Sequence, residues 1–313
     1  MADKKKIALL GAGTMGIGIA QMFAQAGHEV KLIYVYDDKV RARPRETMEA
    51  NLNILREEGV QDGGAIPAIL DRVSWTESLE EAAAFADVVI ECIVEDLAVK
   101  QDYFQKLDAL CPLSTVLTTN TSAISVTEIA GKAVHKERII GTHFWNPAYL
   151  VPLVEVIRTK YVSEETVAAV FQLMEEAGKK PVLVKKDVPG FLANRMQHAL
   201  WREAISIVER GIADAATVDK AVRYSFGLRL PQLGPMENAD MVGTDLTYNI
   251  HDYILKDLED SHEPSPLLKK LRGEGKIGFK TGEGFQTWTP GQIKASNEGL
   301  NDYLVDMLYG KKK

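Results

Sequence analysis

The sequence predicts an α/β protein in which a doubly wound, mainly parallel sheet is followed by an all-α domain. Short apolar segments alternate with helical patterns through the first 190 residues, and a glycine-rich turn joins the first strand to the first helix. After residue 191 the strand signals almost disappear. Alternation of strands and helices is typical of a parallel sheet that helices cover on both faces.

The predicted strands are short, apolar on both faces, and bounded by glycine or polar residues, as expected for strands between two helical layers. They lie at 7–13, 30–36, 86–94, 114–120, 137–145, 151–159 and 180–186. The helical segments predicted between them are 14–26, 39–58, 78–85, 97–109, 125–131 and 163–177.

The pattern of secondary-structure signals changes after "DVPGF", residues 187–191. The segment "ANRMQHALWREAISIVERG" predicts a long amphipathic helix that ends at Gly211. The segment "DAATVDKAVRYSFG" repeats this pattern and ends at Gly227. We therefore predict two domains, residues 1–187 and residues 188–313.

Composition limits the class of protein. The 313 residues are 46% hydrophobic and 26% charged, with a formal net charge of −7, so a general nucleic-acid binder is not expected. No apolar run approaches the roughly 18 residues of a membrane span, and "MADKKK" lacks the apolar core of a signal peptide. We expect a soluble cytoplasmic protein with no membrane partner. Cys92 and Cys111 are too few for a disulfide framework or a metal site, so we expect free thiols and no metal.

The turn "GAGTMG" has the G-x-G-x-x-G spacing of a dinucleotide-binding fingerprint, and it follows a strand and opens a helix. Gly11 permits the tight turn, Gly13 allows the backbone to approach a pyrophosphate, and Gly16 allows close packing of helix and sheet. The helix N-terminus presents N–H groups to phosphate. We expect Thr14 and Met15, inside the fingerprint, to contact the cofactor as well.

An acidic residue normally binds the ribose hydroxyls about 20 residues after the fingerprint. Tyr34 stands 18 residues after Gly16, and Asp37 stands 21 residues after it. Chain geometry allows either position to reach the ribose.

Five motifs resemble the 3-hydroxyacyl-CoA dehydrogenase family, in that family's order and over nearly the whole chain. They are "GAGTMGIGIAQMFAQAGHEV" (11–30), "TNTSAISVTEIA" (119–130), "GTHFWNPAYLVPLVEVI" (141–157), "KKDVPGFLANR" (185–195) and "KTGEGF" (280–285). The resemblance implies a Rossmann-like N-terminal domain, a helical C-terminal domain that forms a homodimer, and NAD-dependent oxidation of a 3-hydroxy group.

The same resemblance assigns roles to four residues. His143 matches the family's catalytic histidine, and Glu155 matches the glutamate paired with it. Ser122 and Asn194 match residues that hydrogen-bond the substrate oxygen. Ordinary alternatives remain open for the last two: Ser122 could cap the helix at 125–131, and Asn194 could cap the long helix that follows it.

Further positions match family residues near the cofactor. They are Glu95, Lys100, Asn146 and Lys280. For the charged residues among them, a solvated surface position is the alternative.

The chain departs from the family at the ribose-binding position. The family's aspartate comes seven residues after the glycine that ends the first helix, and seven residues after Gly27 stands Tyr34. We therefore expect that NAD binds less tightly and that NADP is tolerated or even preferred. Basic residues that could attract a 2′-phosphate follow, and two acidic residues oppose them. These are Lys39, Arg41, Arg43 and Arg45, opposed by Asp37 and Asp38.

A second departure concerns the substrate. Acyl-CoA members carry a lysine just before "LVEV", where this chain has Pro152. In this respect the chain is similar to relatives that act on small free 3-hydroxy acids, such as carnitine or gulonate dehydrogenases. The basic helix at 39–58 could instead contact CoA phosphates. A 3-hydroxyacyl-CoA stays the first hypothesis and a free 3-hydroxy acid the second. A crystallin-like structural protein and a nucleotide-sensing module are the alternatives outside catalysis.

Overall fold

The computed structural model describes residues 4–34 and 43–310, and it shows a sheet of eight strands with helices on both faces, followed by a helical region. The predicted fold class is therefore confirmed. The strands are β1 (Lys6–Leu10), β2 (Glu29–Ile33), β3 (Val73–Thr76), β4 (Val88–Glu91), β5 (Val116–Thr119), β6 (Ile139–Phe144), β7 (Leu153–Ile157) and β8 (Lys180–Val184).

Among the described residues that precede β8, the structure has seven α-helices. They are α1 (Thr14–Gln25), α2 (Arg43–Glu57), α3 (Ile66–Leu70), α4 (Leu79–Phe85), α5 (Leu97–Leu110), α6 (Val126–Ile129) and α7 (Glu164–Glu176). The later helices are α8 (Ala193–Glu209), α9 (Ala215–Arg223), α10 (Pro235–Val242), α11 (Thr244–Ile254), α12 (Pro266–Gly273) and α13 (Pro290–Tyr309).

Strand β3 and helix α3 were not predicted from the sequence. Strand β3 is four residues long and lies at the edge of the sheet, where only Val73 is buried and Ser74 and Trp75 are exposed. Helix α3 has five residues. With a single buried residue, β3 lacks the apolar run that marks the other strands, and α3 is little more than one turn of helix.

The strand order is β3-β2-β1-β4-β5-β6-β7-β8, and every neighbouring pair is parallel except β6 and β7. From β1 the chain builds one side of the sheet through β2 and β3, and then crosses to β4 on the other side. The loops after β1 and β4 therefore diverge at the carboxyl ends of the strands. In sheets of this type, ligands bind in the crevice that such a switch opens.

Two hydrophobic cores lie on opposite faces of the sheet. Along β1, Ile7 and Leu9 join the core that includes residues of α1, α2 and α7. Ala8 and Leu10 join the core that includes residues of α4 and α5. Both faces of the strand are thus removed from water, which explains why it reads as a continuous apolar run.

By packing, the chain divides into two compact units. One consists of Met1–Arg195 with Asn301–Lys313, and the other consists of Met196–Leu300. The division falls inside α8. The end of α13 packs with the first unit, because Val305 is buried in a cluster with Leu55 and Leu150. The domain boundary between residues 187 and 188 stays a prediction.

Both cysteines are free thiols, Cys92 half-buried and Cys111 buried. Burial raises the pKa of each thiol, that of Cys111 to about 11, so neither is prepared to act as a thiolate. The described residues contain no cluster of His, Cys, Asp and Glu that could hold a metal ion. In the described parts of the chain, no helix has the length and apolar character needed to cross a membrane.

His28, between α1 and β2, is a buried titratable group with an incomplete set of partners. Its Nδ1 accepts a hydrogen bond from the Lys5 amide at 3.0 Å, while its Nε2 has no hydrogen-bond partner among the described residues. Burial lowers the pKa of His28, and the Lys4 ammonium lowers it further. The unfolded chain therefore takes up this proton at a higher pH than the folded chain does.

Stability is consequently lost as the pH falls below about 6.5, with a slope of at most ~1.4 kcal/mol per pH unit from this group. Urea unfolding at a series of pH values should show a smaller loss on acidification in His28→Gln than in the unsubstituted protein. His262→Gln, at an exposed position, is the control and should keep the full loss. Equal pH dependence of His28→Gln and the unsubstituted protein would contradict this explanation.

Candidate active site

The glycine turn between β1 and α1 is shaped by close backbone contacts. Gly11 has φ +108°, and a Cβ there would lie 2.7 Å from the carbonyl oxygen of Cys92. A Cβ at Gly16 would lie 1.9 Å from the carbonyl oxygen of Gly11. Any other residue would displace backbone at both positions, so the turn requires glycine for steric reasons.

The N-terminus of α1 leaves room for an anion. The space beside Gly13 is open, since no heavy atom lies within 4 Å of a Cβ placed there. Gly13 is also the N-cap, so no side chain caps the helix, and the first turn has no acidic residue. Unsatisfied N–H groups and a positive helix end favour a phosphate here. Thr14, which is exposed, and Met15, which is half-buried, form the first helical turn at this opening. The donor set therefore fits the pyrophosphate of a dinucleotide.

His143 and Glu155 face each other across the antiparallel pair β6 and β7. Nδ1 of His143 lies 2.7 Å from Oε2 of Glu155, and both side chains are buried. Directly opposite residues in such a pair point to the same face of the sheet. The "NPAYLVP" connection thus returns the chain so that the carboxylate meets the imidazole.

The Glu155 carboxylate is held by several further donors. Its Oε1 accepts hydrogen bonds from the amides of Leu192, at 2.8 Å, and Ala193, at 3.0 Å, where α8 begins. Its Oε2 also accepts from Nε1 of Trp145 at 3.4 Å. Burial alone would raise the pKa of Glu155, but the hydrogen bonds from His143 and from the two amides together lower it. The group is therefore an anion beside the imidazole at neutral pH.

Two aromatic rings enclose the imidazole. The centroid of the His143 ring is 5.5 Å from that of Trp145 and 5.6 Å from that of Phe191. Phe191 has φ +51°, a left-handed conformation that is unfavourable for a residue with a bulky side chain. It is fully buried, and the packing that fixes its ring offsets the strain.

Ser122 and Asn194 are brought together by the fold. Nδ2 of Asn194 donates a hydrogen bond to the backbone oxygen of Ser122 at 3.2 Å. The suggestion that Ser122 caps the next helix is wrong, because Ser125 is the N-cap of α6 and its Oγ accepts from the amide of Glu128. Asn194 lies one residue inside α8, next to the amide that binds Glu155.

Two more predicted residues join this set. Oε1 of Glu95 accepts a hydrogen bond from the amide of Ser122 at 3.0 Å. Oε2 of Glu95 lies 3.2 Å from Nζ of Lys100, whose side chain is only 1% exposed. A solvated surface position is therefore wrong for Lys100. Contacts thus connect His143 through Glu155 and the start of α8 to Ser122, Glu95 and Lys100.

The remaining predicted positions are less closely connected. Asn146 is exposed and lies just after β6. Lys280 is exposed and belongs to the second unit.

Tyr34 follows β2, and its amide donates to the oxygen of Thr76. The residue is 9% exposed and belongs to the hydrophobic core that includes α1 and α2. Of the basic residues after it, Arg43 is exposed and Arg45 pairs with Asp71 at 3.1 Å. The other charged residues of the prediction lie outside the described residues. They are Asp37, Asp38, Lys39 and Arg41.

Sequence reasoning missed several groups of this site. Trp145 and Phe191 are in the quoted motifs, but motif spacing does not show that their rings enclose His143. The two amides at the start of α8 have no sequence signal except the helix start itself. Glu91, the buried partner of Lys100, lies at the end of a strand and was not recognised from the sequence as part of the site.

Comparison with known proteins gives the family. Residues 6–188 match the model of the 3-hydroxyacyl-CoA dehydrogenase NAD binding domain, and residues 190–288 match the C-terminal domain of the same family. A 3-hydroxybutyryl-CoA dehydrogenase of Clostridioides difficile is 36% identical over 284 residues, which are 90% of this chain and 98% of that protein.

A second relative has a different name. The 5-formyl-3-hydroxy-2-methylpyridine 4-carboxylate 5-dehydrogenase of Mesorhizobium japonicum is 34% identical over 292 residues, 93% of each chain. A crystal structure of a dehydrogenase of that specificity, described as an NAD+ dependent dismutase, superposes with a TM-score of 0.89 at 33% identity and covers 97% of each chain. The resemblance drawn from the five motifs is confirmed over both domains: the chain belongs to the 3-hydroxyacyl-CoA dehydrogenase family of NAD-binding oxidoreductases.

Proposed function

We propose that this chain transfers a hydride between C3 of an L-3-hydroxyacyl substrate, in the first place a 3-hydroxyacyl-CoA, and NAD. The observation that carries the proposal is the 2.7 Å contact between Nδ1 of His143 and Oε2 of Glu155. That contact belongs to a connected set of polar residues that reaches Ser122. The names of the acyl-CoA relatives support the substrate class.

Oxidation of a secondary alcohol requires a hydride acceptor and a base for the hydroxyl proton. NAD, when bound, supplies the hydride acceptor. His143 is the base: Glu155 occupies Nδ1, which leaves Nε2 to accept the substrate proton. Glu155 keeps the imidazole in this tautomer and stabilises the imidazolium that forms. In the reverse direction His143 returns the proton to the oxygen at C3.

Ser122 and Asn194 are proposed to bind the substrate oxygen. A hydroxyl and an amide are neutral donors, and such donors stabilise negative charge that develops on oxygen when a ketone is reduced. Their contact at 3.2 Å supports a shared role, because it holds both residues at one place.

The cofactor contacts are proposed on the fit of the glycine turn. Gly11, Gly13 and Gly16, with Thr14 and Met15, would hold the pyrophosphate at the start of α1. Further contacts to the cofactor are proposed for Tyr34, Glu95, Lys100, Asn146 and Lys280.

We also propose a homodimer formed through the second unit. Trp201 and Tyr253 of that unit are exposed in the single chain, and apolar side chains line a cavity of about 1140 Å³ within it. Exposed apolar surface of this kind marks interaction sites. The cytoplasmic location expected from the sequence stays a prediction.

A small free carboxylic acid is the second candidate substrate. The relative from Mesorhizobium japonicum acts, by its name, on a pyridine carboxylate, and the structure of such an enzyme covers nearly the whole of this chain. Pro152 also stands where the resemblance expects a lysine in acyl-CoA members.

Turnover assays decide between these substrates. We expect acetoacetyl-CoA with NADH to give a kcat/KM at least roughly tenfold above that of free acetoacetate, because binding energy from the CoA moiety contributes to kcat/KM. The reaction is followed at the nicotinamide absorbance band, with free 3-hydroxy acids assayed in the other direction. A preference for a free acid would move the assignment to the second candidate.

Substitution of the catalytic pair tests the mechanism. His143→Ala should reduce kcat by about 10²–10⁴-fold, the contribution of a positioned general base, while NAD binding is unchanged. Glu155→Gln should reduce kcat by about 10²–10⁴-fold, because the imidazole loses its orienting carboxylate. Calorimetry of NAD binding is the control. A nucleotide-sensing or structural protein would show no turnover to lose, and full activity of His143→Ala would contradict the mechanism.

Tyr34 tests cofactor preference. Tyr34→Asp should shift the ratio of kcat/KM for NAD over NADP toward NAD by roughly tenfold, because a carboxylate binds the ribose hydroxyls and repels a 2′-phosphate. Tyr34→Asn removes the same ring without adding a charge and is the matched control. If the aspartate and asparagine variants show the same ratio, position 34 does not determine the preference.

A further inference from the structure

A fully buried carboxylate that the mechanism does not use lies at the end of β4. The side chain of Glu91 has an exposure of 0%, and its Oε1 lies 2.7 Å from Nζ of Lys100 in α5. Oε1 also accepts from the amide of Ile93 at 2.7 Å, and Oε2 accepts from Oγ1 of Thr119 at 2.6 Å. Glu91 is therefore fixed by contacts from β5, from α5 and from the chain that follows β4.

Lys100 connects this buried carboxylate to a second one. Its Nζ lies 3.2 Å from Oε2 of Glu95, whose side chain is 41% exposed. Burial would raise the pKa of Glu95, but the hydrogen bond from Thr121, the charge of Lys100 and the amide of Ser122 lower it further than burial raises it. Glu95 is therefore an anion, and one ammonium lies between two carboxylates.

Glu95 in turn holds the loop that follows β5. Its Oε1 accepts from Oγ1 of Thr121 at 2.6 Å, from the amide of Ser122 at 3.0 Å and from the amide of Ala123 at 3.2 Å. One carboxylate oxygen thus binds residues 121–123 in succession. Lys100 holds the other oxygen of the half-exposed Glu95, so both oxygens of this carboxylate have partners.

Because Glu91 is buried, it is the carboxylate that fixes the Lys100 ammonium, in preference to Glu95. A buried ammonium needs a buried counter-charge, and Glu91 supplies it at the shorter distance. Without that charge, Lys100 would be left with the partly hydrated Glu95, whose carboxylate can turn toward water. Glu91 therefore fixes Lys100, Lys100 fixes Glu95, and Glu95 fixes the loop that follows β5.

We propose that Glu91 is a positioning residue for the candidate active site: Glu91 holds Ser122 in place through Lys100 and Glu95. The consequence for turnover rests on the proposed function, in which Ser122 binds the substrate oxygen. The positioning itself does not depend on which substrate is used.

A buried ion pair that only stabilises the fold is the competing explanation, and the chain offers a matched control for it. Asp108 of α5 pairs with Arg138 at 2.7 Å, and the two side chains are 4% and 5% exposed. Asp108 also accepts from the amides of Val134 and His135. Among the described residues, the contacts of Asp108 do not lead to Ser122, so Asp108→Asn neutralises a similar carboxylate away from the site.

Hydrogen exchange measures the positioning without turnover. In Glu91→Gln we expect the amides of Ser122 and Ala123 to exchange about tenfold faster than in the unsubstituted protein, because their acceptor is no longer fixed. Mass spectrometry of a peptide that spans 120–125 gives the rates. Asp108→Asn should leave this peptide unchanged. Unchanged exchange of the peptide in Glu91→Gln would overturn the proposal.

A second variant covers the possibility that Glu91→Gln fails to fold with Lys100 still charged. The double variant Glu91→Gln/Lys100→Met removes both charges of the pair, a replacement that folded proteins often tolerate. It should show the same faster exchange at Ser122 and Ala123. Protection equal to that of the unsubstituted protein would show that Glu95 holds the loop alone, which overturns the proposal.

Kinetics give a readout that a purely structural role would not produce. Glu91→Gln should lower kcat/KM about tenfold in the unsubstituted background and less than about twofold in Ser122→Ala, because residues that act as a unit are non-additive. The full tenfold loss in both backgrounds would mean that Glu91 does not act through Ser122. Loss of the proposed function itself would appear as no turnover in any variant, with the exchange result intact.

Discussion

The hydrogen bond between His143 and Glu155 is the interaction on which the account of this protein depends. It exists because β6 and β7 pair antiparallel, whereas the other neighbouring strands of the described residues pair parallel. The pairing puts the two residues directly opposite each other. A buried carboxylate would be costly on its own, and the amides at the start of α8 offset that cost by donating to it. The strand pair, the carboxylate and the helix start thus form one structural unit.

The sheet places this unit relative to the glycine turn. The turn after β1 and the loops after β4 and β5 all leave the carboxyl ends of adjacent parallel strands. A Cβ at Gly11 would lie 2.7 Å from the carbonyl oxygen of Cys92, directly after β4, so the glycine turn lies against the segment that leads from β4 to Glu95. The glycine turn and the loop that carries Ser122 thus lie at the same edge of the sheet, separated by one strand.

Much of this architecture could be predicted because strands covered on both faces read as apolar runs, and because a glycine turn between a strand and a helix is specific in context. The spacing of His143 and Glu155 predicted a second strand that returns beside the first, because both residues lie in such apolar runs. The edge strand β3 escaped prediction because a single buried residue gives no pattern. The amides that bind Glu155, the rings around His143 and the pairing of Lys100 with Glu91 are tertiary contacts between distant segments. Local sequence patterns do not encode the distances between such segments, so Lys100 could not be distinguished from a solvated lysine.

The central claim is that Glu155 fixes the tautomer of His143, with the proton on Nδ1 and Nε2 free to accept a proton from substrate. Heteronuclear NMR of the protein labelled with ¹⁵N-histidine measures this directly at a pH of about 8, where an ordinary imidazole is neutral. The chain has six histidines, and the His143→Gln variant identifies the signals of residue 143. We expect a protonated Nδ1 and a bare Nε2. A proton on Nε2 would contradict it, because the base would then have no free nitrogen on the substrate side.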